Sequence, residues 1–222
     1  MPWDWLLTKE PKPIKAKDHK TLAPWTISHT EPLVRDFLAP SKDFLGILES
    51  RRTNRDFGCI DESVLSGVFW FTLRTQALLD DKGTHFYRPV PSAGATHAIS
   101  IIVIQPDGII WRYDGGTHSK QFIHCNNTME VYQSCKQVID PQSGCLLILA
   151  AEIERISPYY DNFESLIWRD AGVILEALAL TAEAFDVNFC PLGISGDDWL
   201  KDIFISTKQT IRGVGVALIG SR

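Results

Sequence analysis

Apolar positions along the chain fall into blocks with two periodicities, and these blocks define an order of elements. Ser41 precedes a run in which Phe44, Leu45, Ile47 and Leu48 form one apolar face, which predicts a helix from Ser41 to about Arg51. A second helix is predicted from Asp61 to about Leu79, with Val64, Leu65, Val68, Phe69 and Thr72 at helical spacing. DDKGTHFYRPVPSAG (80–94) reads as loop. ISIIVIQ (99–105), the turn PDG and IIWRYD (109–114) carry the signature of a β-hairpin. CLLILAAEIE (145–154) is a buried strand. A long helix from about Phe163 to Phe185 is apolar almost all round, which places it inside a domain or a dimer. A short helix near 197–204 and the strand GVGVALIG (213–220) close the chain. Helices, hairpin, strand, helix and strand in this order give an α+β class rather than a βαβ alternation.

Residues 1–40 differ from the rest. Prolines at 11, 13, 24, 32 and 40 interrupt any helix, so this stretch reads as an N-terminal extension to a single domain over 41–222. Trp3, Trp5 and Trp25 within it need an apolar surface, so part of the extension is expected to dock on the domain or on a partner subunit.

Composition narrows the function classes. The 222 residues suffice for one sizeable core, and 45% hydrophobic with 22% charged residues is ordinary for a soluble globular protein. A formal net charge of -5 speaks against nucleic acid as a partner, since phosphate contacts need a basic surface. No stretch is long and apolar enough for a membrane span, and no secretory signal opens the chain. Five scattered cysteines without a CxxC pair fit neither a zinc site nor a disulfide framework and point to a reducing cytoplasm. The six histidines show no i, i+4 pair, so no metal is expected.

Two local clusters have the right chemistry for a ligand. In ESRRTNRDFG (49–58), Arg51, Arg52 and Arg55 flank Thr53 and Asn54 near a helix end. The planar fork of arginine suits phosphate, and hydroxyl or amide groups suit a polyol; the plain alternative is that these arginines only complement the helix dipole. In RPVPSAGATH (88–97), Pro91, Ser92, Ala93 and Gly94 form a small-residue loop that lets backbone approach a flat ligand, or simply a turn. Ser92 lacks the GxSxG surroundings of a hydrolase, and GVGVAL lacks the third glycine and following helix of a dinucleotide fingerprint.

The order of these clusters carries a resemblance. RRTNRDFG resembles the segment that opens nitroreductase-like, FMN-dependent proteins. PSAGATH, the hairpin segment IIWRYDGGTHSKQFI, the run LILAAEIER, and RDAGVILEALALTAEAFDVNFCPLG resemble the SagB-type branch, which includes azoline-oxidising peptide dehydrogenases. The match spans roughly residues 41–220. It implies a central, mostly antiparallel sheet flanked by helices, and a homodimer with FMN at the interface. By position it implies that Arg51 and Arg52 hold the phosphate, with Arg222 within reach of it. Thr53 would lie near the ribityl chain or ring and Arg55 near the pyrimidine edge. Pro91, Ser92, Ala93 and Gly94 would cover the ring from the other subunit, and Leu192 and Gly193 would supply backbone. A Lys-Tyr pair of the azoline-oxidising relatives corresponds here to Tyr159 and Tyr160, which become the candidate catalytic pair. A tyrosine needs its pKa brought down from about 10 to act as a base near neutrality. The relatives' AGH-x-x-QN reads AGVILEAL here, with Val173 and Ala177 at the polar positions. The resulting expectation is oxidation of a modified peptide or amino-acid-derived small molecule by hydride transfer to flavin, with a biosynthetic partner protein as a candidate partner. The alternatives are an NAD(P)H-dependent nitroreductase or quinone reductase, and a flavin-free scaffold in a biosynthetic complex.

Overall fold

The computed structural model describes residues 9–15, 25–79, 85–204 and 211–222. Trp3 and Trp5 lie outside the described residues, as do residues 80–84 of the loop expected at 80–94. Two short strands open the described chain, β1 (Lys12–Pro13) and β2 (Ile27–Pro32). Helices α1 (Phe44–Ser50) and α2 (Glu62–Leu73) follow, then the small ladder of β3 (Ala77–Leu78) with β4 (Phe86–Tyr87). The meander β5 (Ile99–Ile104), β6 (Ile110–Asp114) and β7 (Ser119–Ile123) leads to α3 (Thr128–Ser134). Strand β8 (Cys145–Glu152), the turn-like α4 (Ile153–Ile156) and β9 (Tyr160–Asp161) precede the long α5 (Glu164–Ala184). The chain ends with β10 (Val187–Leu192), α6 (Asp197–Ile203) and β11 (Ile211–Ser221).

Seven of these strands form one sheet in the order β10-β11-β8-β5-β6-β7-β2, and every pairing in it is antiparallel. Its central strands are buried on both faces, which explains their unbroken apolar runs. Leu147, Leu149 and Ala151 of β8 face a core shared with α2 and α5. Leu146, Ile148 and Ala150 face a second core shared with α3 and α6. The expected α+β class, with helices on both sides of an antiparallel sheet, is what the chain adopts.

Several boundaries differ from the sequence expectation. The first helix starts after Asp43, whose carboxylate accepts from the Gly46 N–H at 3.0 Å, and not after Ser41. Of its four predicted apolar-face residues only Ile47 is buried, while Phe44, Leu45 and Leu48 remain exposed. The second helix ends at Leu73 and not near Leu79, because Arg74 turns extended and residues 77–78 pair with 86–87. The stretch VNFCPL that follows the long helix is strand β10, which the hydrophobic pattern did not predict. The described part of the N-terminal stretch docks on the domain: Trp25 and Leu33 are buried, and β2 adds an edge strand beside β7 that the hydrophobic pattern did not predict.

The hairpin motif also has a structural use. The Tyr113 hydroxyl lies 2.8 Å from His118 Nδ1, and Ser66 Oγ lies 2.8 Å from His118 Nε2. Burial lowers the histidine's pKa, so this buried chain ties β6 to α2 through a neutral ring.

Candidate functional site: an arginine loop and a small-residue loop

The arginine loop is pinned at both ends. Arg51 leaves α1 while its N–H still donates to the Ile47 carbonyl at 2.9 Å. Six residues on, Phe57 is buried, its N–H donates to Gln142 Oε1 at 2.9 Å, and Gly58 bridges to Ser221. Asn188 Nδ2 donates to the Asp56 carbonyl at 2.6 Å. Between these anchors Arg52, Thr53, Asn54 and Arg55 are exposed and Arg51 is half-buried. Arg52 Nη1 donates to the carbonyls of Glu49 at 2.7 Å and Arg51 at 2.8 Å, which orients its fork. Arg55 sits near the Cys190 thiol on β10, the strand that ends in Leu192 and leads to Gly193, and its charge opposes the rise that burial gives the thiol.

A recess of about 350 Å³ opens here, lined by Ser50, Arg52, Asn54, Glu183, Asn188 and Arg222. Arg222 borders it with its guanidinium engaged by Glu183 Oε2 at 2.7 Å and Asp186 Oδ1 at 3.2 Å. Arg51, Arg52 and Arg55 differ: among the described residues none of them pairs with a carboxylate. Three guanidinium groups on a pinned loop without a counter-ion suit an anion such as a phosphate.

The second loop is built around Asp170, a residue the sequence reading passed over. Ser92 Oγ donates to Asp170 Oδ2 at 2.6 Å, and the Ala93 N–H reaches both carboxylate oxygens at 3.3 Å. The Ser92 hydroxyl in turn accepts from the His97 N–H at 3.0 Å. Burial raises the Asp170 pKa, with the two donors from the loop opposing it. Gly94 takes φ +57, and a Cβ there would lie 2.7 Å from the Tyr160 hydroxyl. Small residues at this turn therefore leave room for Tyr160. Tyr159 packs edge-on against His85, with ring centroids 4.7 Å apart. Pro91 and Gly94 are exposed, Ser92 and Ala93 half-buried. A lone aspartate on the buried side of an apolar helix was the available signal for Asp170.

The predicted residues thus form two groups and not one. Asp170 and Glu183 stand thirteen residues apart on α5, about 20 Å at the rise of an α-helix. The arginine loop and recess adjoin the C-terminal end of that helix, and the Pro91–Gly94 loop adjoins its first half. No cluster of three or more His, Cys, Asp or Glu residues suited to a metal occurs among the described residues. No helix among them is long and apolar enough to cross a membrane.

No family model matches the chain, and no curated protein sequence matches it. Among solved structures, the chain is similar to a protein of Ralstonia eutropha assigned as a nitroreductase. The TM-score is 0.67 at 17% identity, over 96% of this chain and 98% of the other. The chain has the nitroreductase fold. The nitroreductase fold also underlies its likeness to a Staphylococcus epidermidis protein assigned as an NAD(P)H:FMN oxidoreductase, with TM-score 0.57 and 15% identity over 83% of this chain and 89% of that one. A third likeness is to a chain of the E. coli microcin synthetase McbBCD complex with truncated pro-MccB17 bound. There the TM-score is 0.58 at 12% identity, covering 86% of this chain and 78% of the other. At these identities the likeness is one of fold.

Proposed function

We propose that the chain is an FMN-dependent oxidoreductase that works as a homodimer, each flavin lying between the arginine loop of one protomer and the Pro91–Gly94 loop of the other. The observation that carries this reading is the set of uncompensated guanidinium groups at Arg51, Arg52 and Arg55 on a nitroreductase fold. Two further features support it. The two loops adjoin different parts of α5, about 20 Å apart along its axis, which suits a flavin shared between two protomers. The exposed apolar residues of α1, with Phe44 at 60% and Leu45 at 66% exposure, together with Phe71 and Val173, offer a surface for a second protomer.

The residues present fit the cofactor. Arg51 and Arg52 would grip the phosphate, Thr53 would bond the polyol, and Arg55 would stabilise negative charge on the reduced ring. Leu192 and Gly193 would offer backbone, and Gly193 has open space where a side chain would stand. When bound, FMN would supply two-electron redox chemistry, taking a hydride from a substrate or delivering one. Asp170 holds the covering loop, and Tyr160, resting against Gly94, with Tyr159 beside it, would accept or return the substrate proton at a phenolic oxygen.

The favoured substrate is a modified peptide or amino-acid-derived molecule. The PSAGATH and hairpin motifs of the SagB type support it, as does the likeness to a chain of a synthetase complex, which also motivates a biosynthetic partner protein. A second reading, NAD(P)H-driven reduction of nitroaromatics or quinones, is favoured by the Staphylococcus likeness. Sustained NAD(P)H turnover with such acceptors would select it.

The test is the visible absorption spectrum of purified protein, with the released chromophore identified by mass. FMN is expected, and Arg51→Ala with Arg52→Ala should lose it. A protein that stays colourless after incubation with excess FMN overturns the enzyme assignment and leaves the flavin-free scaffold.

A further inference from the structure

Three arginines and one carboxylate gather around the end of β8, a few residues before the tyrosine pair. Glu152, at the end of β8, is buried; its Oε1 accepts from Trp25 Nε1 at 3.1 Å and from Ser100 Oγ. Arg112 Nη2 lies 3.5 Å from Oε1, and Arg155 Nη1 lies 3.7 Å from Oε2. Arg112 also donates from Nε to Ser100 Oγ at 2.9 Å and from Nη1 to Gln121 Oε1 at 2.7 Å. Glu152 is thus shared between two cations.

Arg88 is the third cation, and nothing comparable meets it. Its Cζ stands 4.8 Å from the centroid of the Phe86 ring, and that of Arg155 stands 5.3 Å from the same ring. Its Nε is buried with no hydrogen-bond partner, and no carboxylate lies within ion-pair distance of its guanidinium among the described residues. Of the groups whose charge bears on it, Arg155 and Arg112 are cations, Tyr113 is kept neutral by burial, and the one carboxylate, Glu152, acts from beyond ion-pair distance and is already shared between the other two arginines. His97, stacked on Phe86 at 5.0 Å, is neutral near pH 7, because burial and then the Arg88 charge bring it down to about 4. Burial pulls Arg88 itself down to about 10, so it remains charged at neutral pH. Desolvating a guanidinium without a counter-ion is costly, and a ligand that brings the anion recovers that cost.

We infer that Arg88 receives a carboxylate of the substrate, so that the site takes molecules with a free acid group. The position supports it: Phe86 follows His85, whose ring packs on Tyr159, and Arg155 precedes Tyr159 by four residues. One planar fork matches one carboxylate in geometry and charge. The inference rests on the tyrosine pair being the reacting end of the site, and it names the substrate's chemical class.

The test is calorimetric titration of the full chain with N-acetylglycylglycine, its C-terminal amide, and inorganic phosphate. The acid should bind at least about tenfold tighter than the amide. Arg88→Gln should erase the difference, and Arg88→Lys, which keeps the charge without the fork, should retain part of it. Equal binding of acid and amide, binding of neither, or selectivity that survives Arg88→Gln overturns the inference. Phosphate binding tighter than the acid also overturns it, in favour of a phosphate ligand. Flavin content distinguishes the two failures, since Arg88 is not among the groups proposed to hold FMN. A parent protein that carries its flavin yet binds acid and amide equally sinks the subsite alone.

Discussion

Asp170 and Glu152 are both buried carboxylates, and folding treats them in opposite ways. Burial raises Asp170, with Ser92 and Ala93 only partly opposing it, so the folded chain holds its proton more tightly than the unfolded chain does. Raising the pH from the unfolded Asp value through the higher folded one therefore costs stability, and Asp170→Asn should remove that slope. Glu152 runs the other way. Burial alone would raise it, yet Arg112, Arg155, Ser100 and Trp25 hold it below its ordinary value of 4.5. Its contribution is present above the unfolded pKa and fades as pH falls through the lower folded one. Urea midpoints recorded between about pH 5 and pH 3 should fall less steeply in Glu152→Gln than in the parent. At neutral pH, Asp170→Ala should cost about 1–3 kcal/mol by leaving Ser92 Oγ and the Ala93 N–H without their acceptor. Its turnover should drop further than its flavin content, because the loop is displaced while the arginine loop stays. An equal loss of both would count against Asp170 as a positioning residue.

At the scale of elements, the turn at Gly94 offers the sharpest test. An alanine there combines φ +57 with a Cβ 2.7 Å from the Tyr160 hydroxyl. The left-handed conformation alone costs roughly 1–2 kcal/mol, and the clash must displace the tyrosine. Gly94→Ala should therefore lower the unfolding midpoint and reduce kcat, and a variant as active as the parent would separate Tyr160 from the chemistry. The strands β5, β8 and β11 were legible as apolar runs, because burial on both faces leaves few polar positions to blur them, and α5 was legible from its length and its apolar buried face. Strand β2 was not. ISHTEP is exposed along its whole length and is held by backbone pairing to β7, which leaves no trace in hydropathy. The two candidate loops stood out as short strings because their residue types are local in the sequence. Asp170, Glu152 and Arg88 were not, since their roles depend on distant neighbours: Ser92 and Asp170 are 78 residues apart, Trp25 and Glu152 127 apart. The amphipathic pattern of α1 was visible, but hydropathy does not say whether the partner of an apolar face is the same chain or another.

That question belongs to the whole molecule. If α1 is covered by a second protomer, Leu45→Glu should convert a dimer to a monomer by light scattering, with flavin content falling alongside. A parent protein that runs as a monomer while carrying flavin would contradict the shared site. The length of α5 between Asp170 and Glu183 has a genetic consequence. A variant defective in Arg51 and Arg52 and another defective in the Pro91–Gly94 loop would each fail alone. Unfolded and refolded together, they would form mixed pairs in which one site inherits both lesions and the other inherits neither. Two dead proteins would then restore each other to about a quarter of the full activity, the fraction of intact sites in a statistical mixture. Within a single chain no such rescue can occur, so complementation between two nulls would report directly on how the active site is divided.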